Sequence, residues 1–159
     1  MLAQALDALD APQLPLPEDV TDLVASDLVA TLGWTREQAR AVVAPFGNVS
    51  ERDPEHLGFE VAEEVQQWLH DSFLDTSWPH CPSHPNHPLW LSEEEPFTWH
   101  CPKDRVPIVR LGYLGAVLPP PTPEQATDAQ ARLLDELESI RAMTEQLRST
   151  LRRRLRRGP

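Results

Sequence analysis

The residues best suited to chemistry are crowded into one stretch, since both cysteines and four of the six histidines lie between His80 and Cys101. Thiolate sulfur and imidazole nitrogen are the ligands that Zn²⁺ prefers, and structural zinc sites gather four of them at short spacing. Packing of a hydrophobic core does not explain such crowding of polar histidines. The sequence therefore predicts one structural Zn²⁺ ion in this stretch.

The spacing of these residues predicts two metal-binding turns. Cys81 and His84 form a Cys-x2-His pair, in which the intervening Pro82 stiffens the turn. Cys101 is followed by a proline and begins a second turn. We predict that the four zinc ligands are Cys81, His84, His87 and Cys101.

The fourth ligand, His87, has two alternatives. Asp104 ends a Cys-Pro-x-Asp sequence, and His100 is adjacent to a cysteine. His87 is preferred because structural zinc favours nitrogen and sulfur donors, and because adjacent side chains on an extended strand point to opposite faces. His80 is disfavoured for the same reason as His100.

Three short strands are predicted around the turns, at 89–91, 97–99 and 106–111, with an acidic bend at 93–95. This segment, 78–111, resembles the zinc ribbons, small modules in which two cysteine-proline turns at the base of a three-stranded sheet hold one zinc ion. The chain departs from the ribbon pattern at His84 and Asp104, where a ribbon carries cysteine. The resemblance implies that the metal stabilises a fold.

Other interpretations of the cysteines and histidines are disfavoured. A disulfide would need an oxidising compartment, and the sequence begins without a secretory leader. A histidine-rich loop without metal leaves the crowding unexplained. A catalytic zinc needs an open position for water, and neither the H-E-x-x-H signature nor the deaminase pattern occurs. We predict that the protein is not an enzyme, with a zinc-dependent hydrolase as an alternative.

A bundle of three short helices is predicted before the zinc segment. Apolar spacing predicts the first over 20–32, with Gly33 at its C-terminal cap. Thr35 and Gln38 form a capping box that opens the second. An Asp-Pro pair at 53–54 opens a third helix, which carries a broad apolar face.

Residues 17–75 are also similar to ubiquitin-associated three-helix bundles, through Leu32-Gly33-Trp34, Gly47-Asn48-Val49 and Trp68-Leu69. The resemblance implies that a partner protein binds at the loop between the first two helices. An acidic insertion at 51–55 departs from that pattern. A DNA-binding helix-turn-helix is disfavoured, because the second and third helices carry few basic residues.

Almost no linker separates the bundle from the zinc segment, so we expect the two to share one core. A module of about 35 residues would otherwise depend on its metal alone. The aromatic residues expected in the shared core are Trp68, Phe73, Trp78, Trp90, Phe97 and Trp99.

The longest predicted helix follows a stiff polyproline spacer. Its apolar positions, Leu133, Leu137, Ile140, Leu147 and Leu151, follow the spacing of a coiled coil. Such a helix needs a partner surface, and we predict a homo-oligomer formed through residues 124–155. The expected pairing is antiparallel, because the arginine-rich end of one helix then faces the acidic stretch 128–138 of the other.

Charge is divided sharply along the chain. The formal net charge is −11, yet all 25 acidic residues precede Arg148 while six of the 14 basic residues lie from Arg148 onward. The body repels polyanions, whereas the arginines attract them. A nucleic-acid-associated regulator is therefore an alternative function, with phosphate contacts from Arg148, Arg152, Arg153, Arg154, Arg156 and Arg157.

The predicted fold class is mostly α with a small antiparallel β zinc-ribbon-like module. The units are a helical bundle (1–76), the zinc module packed on it (77–116), a polyproline linker (117–123) and a coiled-coil helix with an arginine-rich end (124–159). No apolar run is long enough for a membrane span, and we expect a cytoplasmic protein. The predicted function is a non-catalytic, zinc-stabilised protein-interaction or adaptor protein that binds protein partners and self-associates through its C-terminal helix.

Overall fold

The computed structural model of the protein describes residues 20–47, 54–92 and 97–157, and within them every side chain except those of 54–56 and 154–157. The first 19 residues of the predicted bundle and the predicted acidic bend at 93–95 lie outside the described residues. The helices are α1 (Val20–Leu32), α2 (Arg36–Gly47), α3 (Pro54–Asp71) and α4 (Pro123–Arg157), and the strands are β1 (Trp90–Leu91), β2 (Thr98–Cys101) and β3 (Val106–Arg110). The mostly helical class with a small antiparallel sheet is confirmed.

The first three helices pack against one another, and the local signals in the sequence explain where they begin and end. Gly33 follows α1 with a φ of +68°, a conformation that glycine adopts without strain. The capping box at the start of α2 is present: the N–H of Gln38 donates to Thr35 Oγ1 at 3.2 Å, and the N–H of Thr35 donates to Gln38 Oε1 at 2.8 Å. Both donors would otherwise have no partner within the helix.

The sheet has the order β1-β2-β3, with β2 in the centre and both pairs antiparallel. Trp99 on β2 pairs with Leu91 on one side and Val109 on the other, and all three side chains are buried. This face packs into the same core as the helices. The last residue of β2 is Cys101, so the central strand delivers one of the predicted metal ligands.

Two of the six expected core aromatic residues are in fact exposed. Trp78 and Trp99 are buried and meet edge to face, with ring centroids 5.7 Å apart. Trp90, however, is 52% exposed, because strand alternation turns it outward when its neighbour Leu91 faces the core. Phe73 is 79% exposed, since it lies just beyond α3 in a left-handed turn with a φ of +56°.

A fully buried carboxylate joins α1 to the segment that carries the sheet. Asp27 Oδ2 accepts hydrogen bonds from the Trp99 indole N–H and from the N–H of Gly112, both at 2.8 Å. Asp27 Oδ1 accepts one from the N–H of Leu114 at 2.9 Å. Asp27 therefore fixes where the sheet and the turn after it lie on α1, and no pattern in the sequence predicted this role.

The titration of Asp27 gives stability a pH dependence of defined sign. Burial raises the pKa of Asp27 from 3.8 to about 6, against the hydrogen bonds from Gly112, Leu114 and Trp99, which lower it. Because the folded pKa lies above the unfolded one, this contribution to stability is present below the unfolded pKa and is lost as the pH rises through about 6.

The stability of the wild type is compared with that of Asp27→Asn at each pH. We expect the difference in free energy of unfolding, wild type minus variant, to fall by about 1 kcal/mol between about pH 5 and about pH 7. Denaturant unfolding of both proteins in excess zinc measures this difference, and the terms common to both proteins cancel. A difference that stays level or rises would contradict the assignment.

Two further hydrogen-bonded links hold the zinc segment on the helices. The Trp78 indole N–H donates to Thr31 Oγ1 on α1 at 2.8 Å. The amide of Gln66 on α3 donates to the carbonyl oxygens of Trp78 and Leu89, at 3.1 and 2.7 Å. The chain on either side of the first predicted metal-binding turn is thereby tied to α3.

Helix α4 packs on the body only along its first half. Its N-terminus has a capping box formed by Thr122 and Gln125. Gln130 Nε2 donates to the carbonyl oxygen of Gly33 at 2.7 Å, and Leu133 is fully buried. Every residue from 138 to 149 is exposed. In the described part of the chain, no helix is long and apolar enough to cross a membrane.

Candidate metal centre

The first turn of the site is built by backbone hydrogen bonds around Cys81. The N–H of Cys81 donates to the carbonyl oxygen of His87 at 3.0 Å, which closes the loop 81–87. The N–H of His84 donates to the carbonyl oxygen of Cys81 at 3.2 Å. The N–H groups of Ser83 and His84 also point at the Cys81 sulfur. This arrangement presents the thiol and the imidazole on the same side of the loop.

The second turn begins where β2 ends. The N–H of Asp104 donates to Cys101 Sγ at 3.4 Å, and the N–H of Arg105 donates to the Cys101 carbonyl oxygen at 2.8 Å. Arg105 has a φ of +57°, so the chain reverses in a left-handed turn before β3. Cys101 is fully buried at the base of the sheet, beside the first turn.

Three of the four predicted ligands meet: Cys81, His84 and Cys101 present ligand atoms that all lie within 4.8 Å of one another. His84 Nδ1 is 3.6 Å from Cys81 Sγ and 3.4 Å from Cys101 Sγ. A tetrahedral zinc ion, with bonds of about 2.3 Å to sulfur and about 2.0 Å to nitrogen, separates such atoms by about 3.6 Å. The donor set and its spacing therefore fit a metal ion.

The two cysteines are free thiols, and both are buried. Burial raises the pKa of Cys81, the neighbouring Cys101 raises it further, and the N–H groups of Ser83 and His84 lower it. A divalent cation between the sulfurs would reverse this balance, because it attracts the thiolate form directly.

The other histidines of the stretch 80–101, which are His80, His87 and His100, lie outside this group of three. The His87 side chain is exposed, and its ring centroid is 6.5 Å from that of His84. His80 Nδ1 lies 2.7 Å from the carbonyl oxygen of Pro85, and its Nε2 lies 3.1 Å from Asp75 Oδ2. His80 therefore has a role in holding the loop. His100 lies within β2 and is paired with Trp90 in the sheet register.

The alternative ligand Asp104 lies at the rim of the group. Its Oδ2 is 3.8 Å from His84 Nδ1, and its side chain is 49% exposed. Among the described residues, Asp104 supplies the carboxylate that lies beside the His84 ring. The structure thus places the predicted fourth ligand, His87, and its alternative Asp104 on the solvent side of the site.

The predicted phosphate-binding arginines lie far along α4 from its packed half. Arg148 is paired with Glu145 at 3.1 Å, and Arg152 and Arg153 are exposed. The side chains of Arg154, Arg156 and Arg157 lie outside those that the structure describes. A nucleic-acid surface at this end stays a prediction.

Comparison of the chain with protein-family models, with curated proteins and with solved structures gave no match in any of the three. The resemblances to zinc ribbons and to ubiquitin-associated bundles, which rest on short stretches of sequence, therefore stay predictions. Function must be inferred from the chemistry and the exposed surfaces of the chain.

Proposed function

We propose that this protein is a non-catalytic, zinc-stabilised protein-interaction protein that self-associates through α4. The observation that carries the proposal is the outer half of α4, where an apolar stripe is held in solvent by a helix whose first half is anchored to the body. Exposed apolar side chains in a row mark interaction surfaces more often than isolated ones do.

The metal in this proposal is one Zn²⁺ ion in a ribbon-like module, and its role is to stabilise the fold. The group of Cys81, His84 and Cys101 supports zinc, because soft sulfur and imidazole donors at tetrahedral spacing suit it. The two free thiols require a reducing compartment, and we propose the cytoplasm. No catalytic base is needed for such a role.

The apolar stripe on α4 consists of Ile140, Met143, Leu147 and Leu151, which are between 41% and 60% exposed. Their spacing of three and four residues places them on one face of the helix. Leu133 and Leu137, which precede them in the same pattern, already pack on the core. The stripe therefore continues a seam whose first part is covered by the body and whose second part needs a partner.

A second copy of this chain is the occupant that fits the stripe. The outer end of α4 is strongly basic from Arg148 onward, whereas the segment 128–138 is acidic. Two helices that pair in opposite directions bring the basic end of each against the acidic segment of the other, while parallel pairing sets the basic ends together. In this arrangement the arginines bind the partner copy.

We expect Leu147→Glu to weaken self-association by about a hundredfold or more. Each dimer would lose two buried leucine side chains, at about 1.5 kcal/mol or more each, and would gain two charges in the interface. Gln146→Glu is the matched control, because it makes the same charge at an exposed neighbouring position outside the stripe. Sedimentation equilibrium over a concentration series measures both variants.

The orientation is tested separately, with spin labels at Arg153. Parallel pairing would place the two labels side by side, whereas antiparallel pairing separates them along the helix axis. A wild type that stays monomeric at all accessible concentrations, or equal effects of the two glutamate variants, would contradict self-association through this stripe.

A further inference from the structure

We propose that Asp104 is the fourth ligand of the metal centre, which is then formed by Cys81, His84, Cys101 and Asp104. This inference rests on the proposed zinc site and names the residue that completes it. It replaces His87, which the sequence favoured on donor type alone. Four features of the described residues support it.

The two metal-binding turns are built alike, and Asp104 occupies in the second turn the place of His84 in the first. Each residue lies three positions after a cysteine. The N–H of His84 points at the Cys81 sulfur, and the N–H of Asp104 donates to the Cys101 sulfur at 3.4 Å. When the N–H of the residue three positions after a cysteine points at the cysteine sulfur, the side chain of that residue also lies on the side of the turn where the metal would bind. The shared geometry thus predicts one ligand from each of these positions.

The distance from Asp104 to His84 is close to that between two ligands of one ion. Asp104 Oδ2 lies 3.8 Å from His84 Nδ1. Oxygen and nitrogen bound to one tetrahedral zinc ion lie about 3.4 Å apart. Asp104 lies outside the group whose ligand atoms are all within 4.8 Å of one another, so its half-exposed side chain would have to rotate to reach the sulfur side of the site.

The His87 ring lies outside the group, on the exposed side of its loop. The N–H of His87 donates to the carbonyl oxygen of His84 at 2.8 Å, and the carbonyl oxygen of His87 accepts from Cys81 at 3.0 Å. Both backbone groups are therefore used to close the loop, and the side chain lies on its exposed side. To bind the metal, the exposed His87 side chain would have to turn toward the group.

Charge around Asp104 is compatible with an anionic fourth ligand. Two thiolates and a carboxylate outweigh the two positive charges of zinc by one negative charge. Asp104 is flanked by Lys103 and Arg105, whose exposed cationic side chains lie on the same turn and offset that charge. Asp104 is the one oxygen donor among the four proposed ligands, and it is also the most exposed of them.

The test compares Asp104→Ala with His87→Ala, which removes the competing candidate from an equally exposed position. Competition with a chromophoric chelator measures the Kd for zinc of the full-length chain. We expect Asp104→Ala to raise the Kd by roughly tenfold to a hundredfold, and His87→Ala to leave it unchanged. Melting of both variants without metal should match that of the metal-free wild type, because neither side chain is buried.

Cobalt substitution supplies a second readout at the metal itself. In Asp104→Ala, water takes the vacated position, so added imidazole should change the cobalt absorption spectrum. In the wild type and in His87→Ala it should not. A raised Kd in His87→Ala with no effect in Asp104→Ala would overturn the proposal, as would two unchanged variants.

These outcomes are distinct from failure of the proposed function. If the wild type binds no zinc, the zinc-stabilised site is wrong as a whole. If the wild type binds zinc and Asp104→Ala does so equally well, only the assignment of Asp104 is wrong. Self-association through α4 is measured independently by sedimentation and is expected to be the same in both variants.

Discussion

Removal of zinc with a strong chelator is expected to lower the free energy of unfolding by about 4 kcal/mol, relative to protein in free zinc at a thousand times its Kd. For a chain of this length, that loss corresponds to a fall in Tm of about 8–16 °C. The effect is large because the ion binds the folded site far better than the unfolded chain. The loss of stability is expected to extend to the helices, because Trp99 and Leu111 share one core with them.

The control for zinc removal is a variant with Cys81→Ser and Cys101→Ser. Its Tm should equal that of the chelated wild type and should not change when the chelator is added. Thermal melting followed by circular dichroism measures the loss, and mass spectrometry gives the zinc content. A wild type that contains no zinc, with the same Tm before and after chelation, would refute the metal centre.

Asp27→Ala is expected to destabilise the protein by about 3 kcal/mol at neutral pH. The change leaves the buried N–H donors of Trp99 and Leu114, and the half-buried one of Gly112, without their acceptor. Each such donor costs about 1–3 kcal/mol, and relief of the buried negative charge offsets part of the total. Denaturant unfolding in excess zinc measures the difference.

Asp22→Ala is the matched control for this substitution, since Asp22 is a carboxylate on the same helix that bonds the exposed side chain of Arg40. An exposed pair of this kind contributes below about 1 kcal/mol. Equal losses in the two variants would show that Asp27 does not join α1 to the sheet.

The elements could be predicted because their signals are local. Apolar spacing and caps at Gly33 and Thr35 depend on residues a few positions apart, and the structure has helices where they indicated. The group of Cys81, His84 and Cys101 followed from donor type and short spacing. Such features need no knowledge of how distant parts of the chain pack.

The features that were missed, or that stay predictions, depend on contacts between distant segments or on the direction of a single side chain. Asp27 looks like a polar position on a helix, and its partners are 72 to 87 residues away. Trp90 was expected inside because it is large and apolar, yet strand alternation turns it outward. The choice between His87 and Asp104 depends on where turns direct their side chains.

Because α4 is one continuous helix, it could fix the distance between two bodies as well as carry the apolar stripe. From buried Leu133 to exposed Leu151 the helix contains neither proline nor glycine, so it has no built-in hinge between body and stripe. A dimer joined by antiparallel outer halves would hold two bodies at a fixed spacing and at opposite ends. Any target that carries two copies of a binding motif at the matching separation would then be bound with avidity, without one new contact in either body.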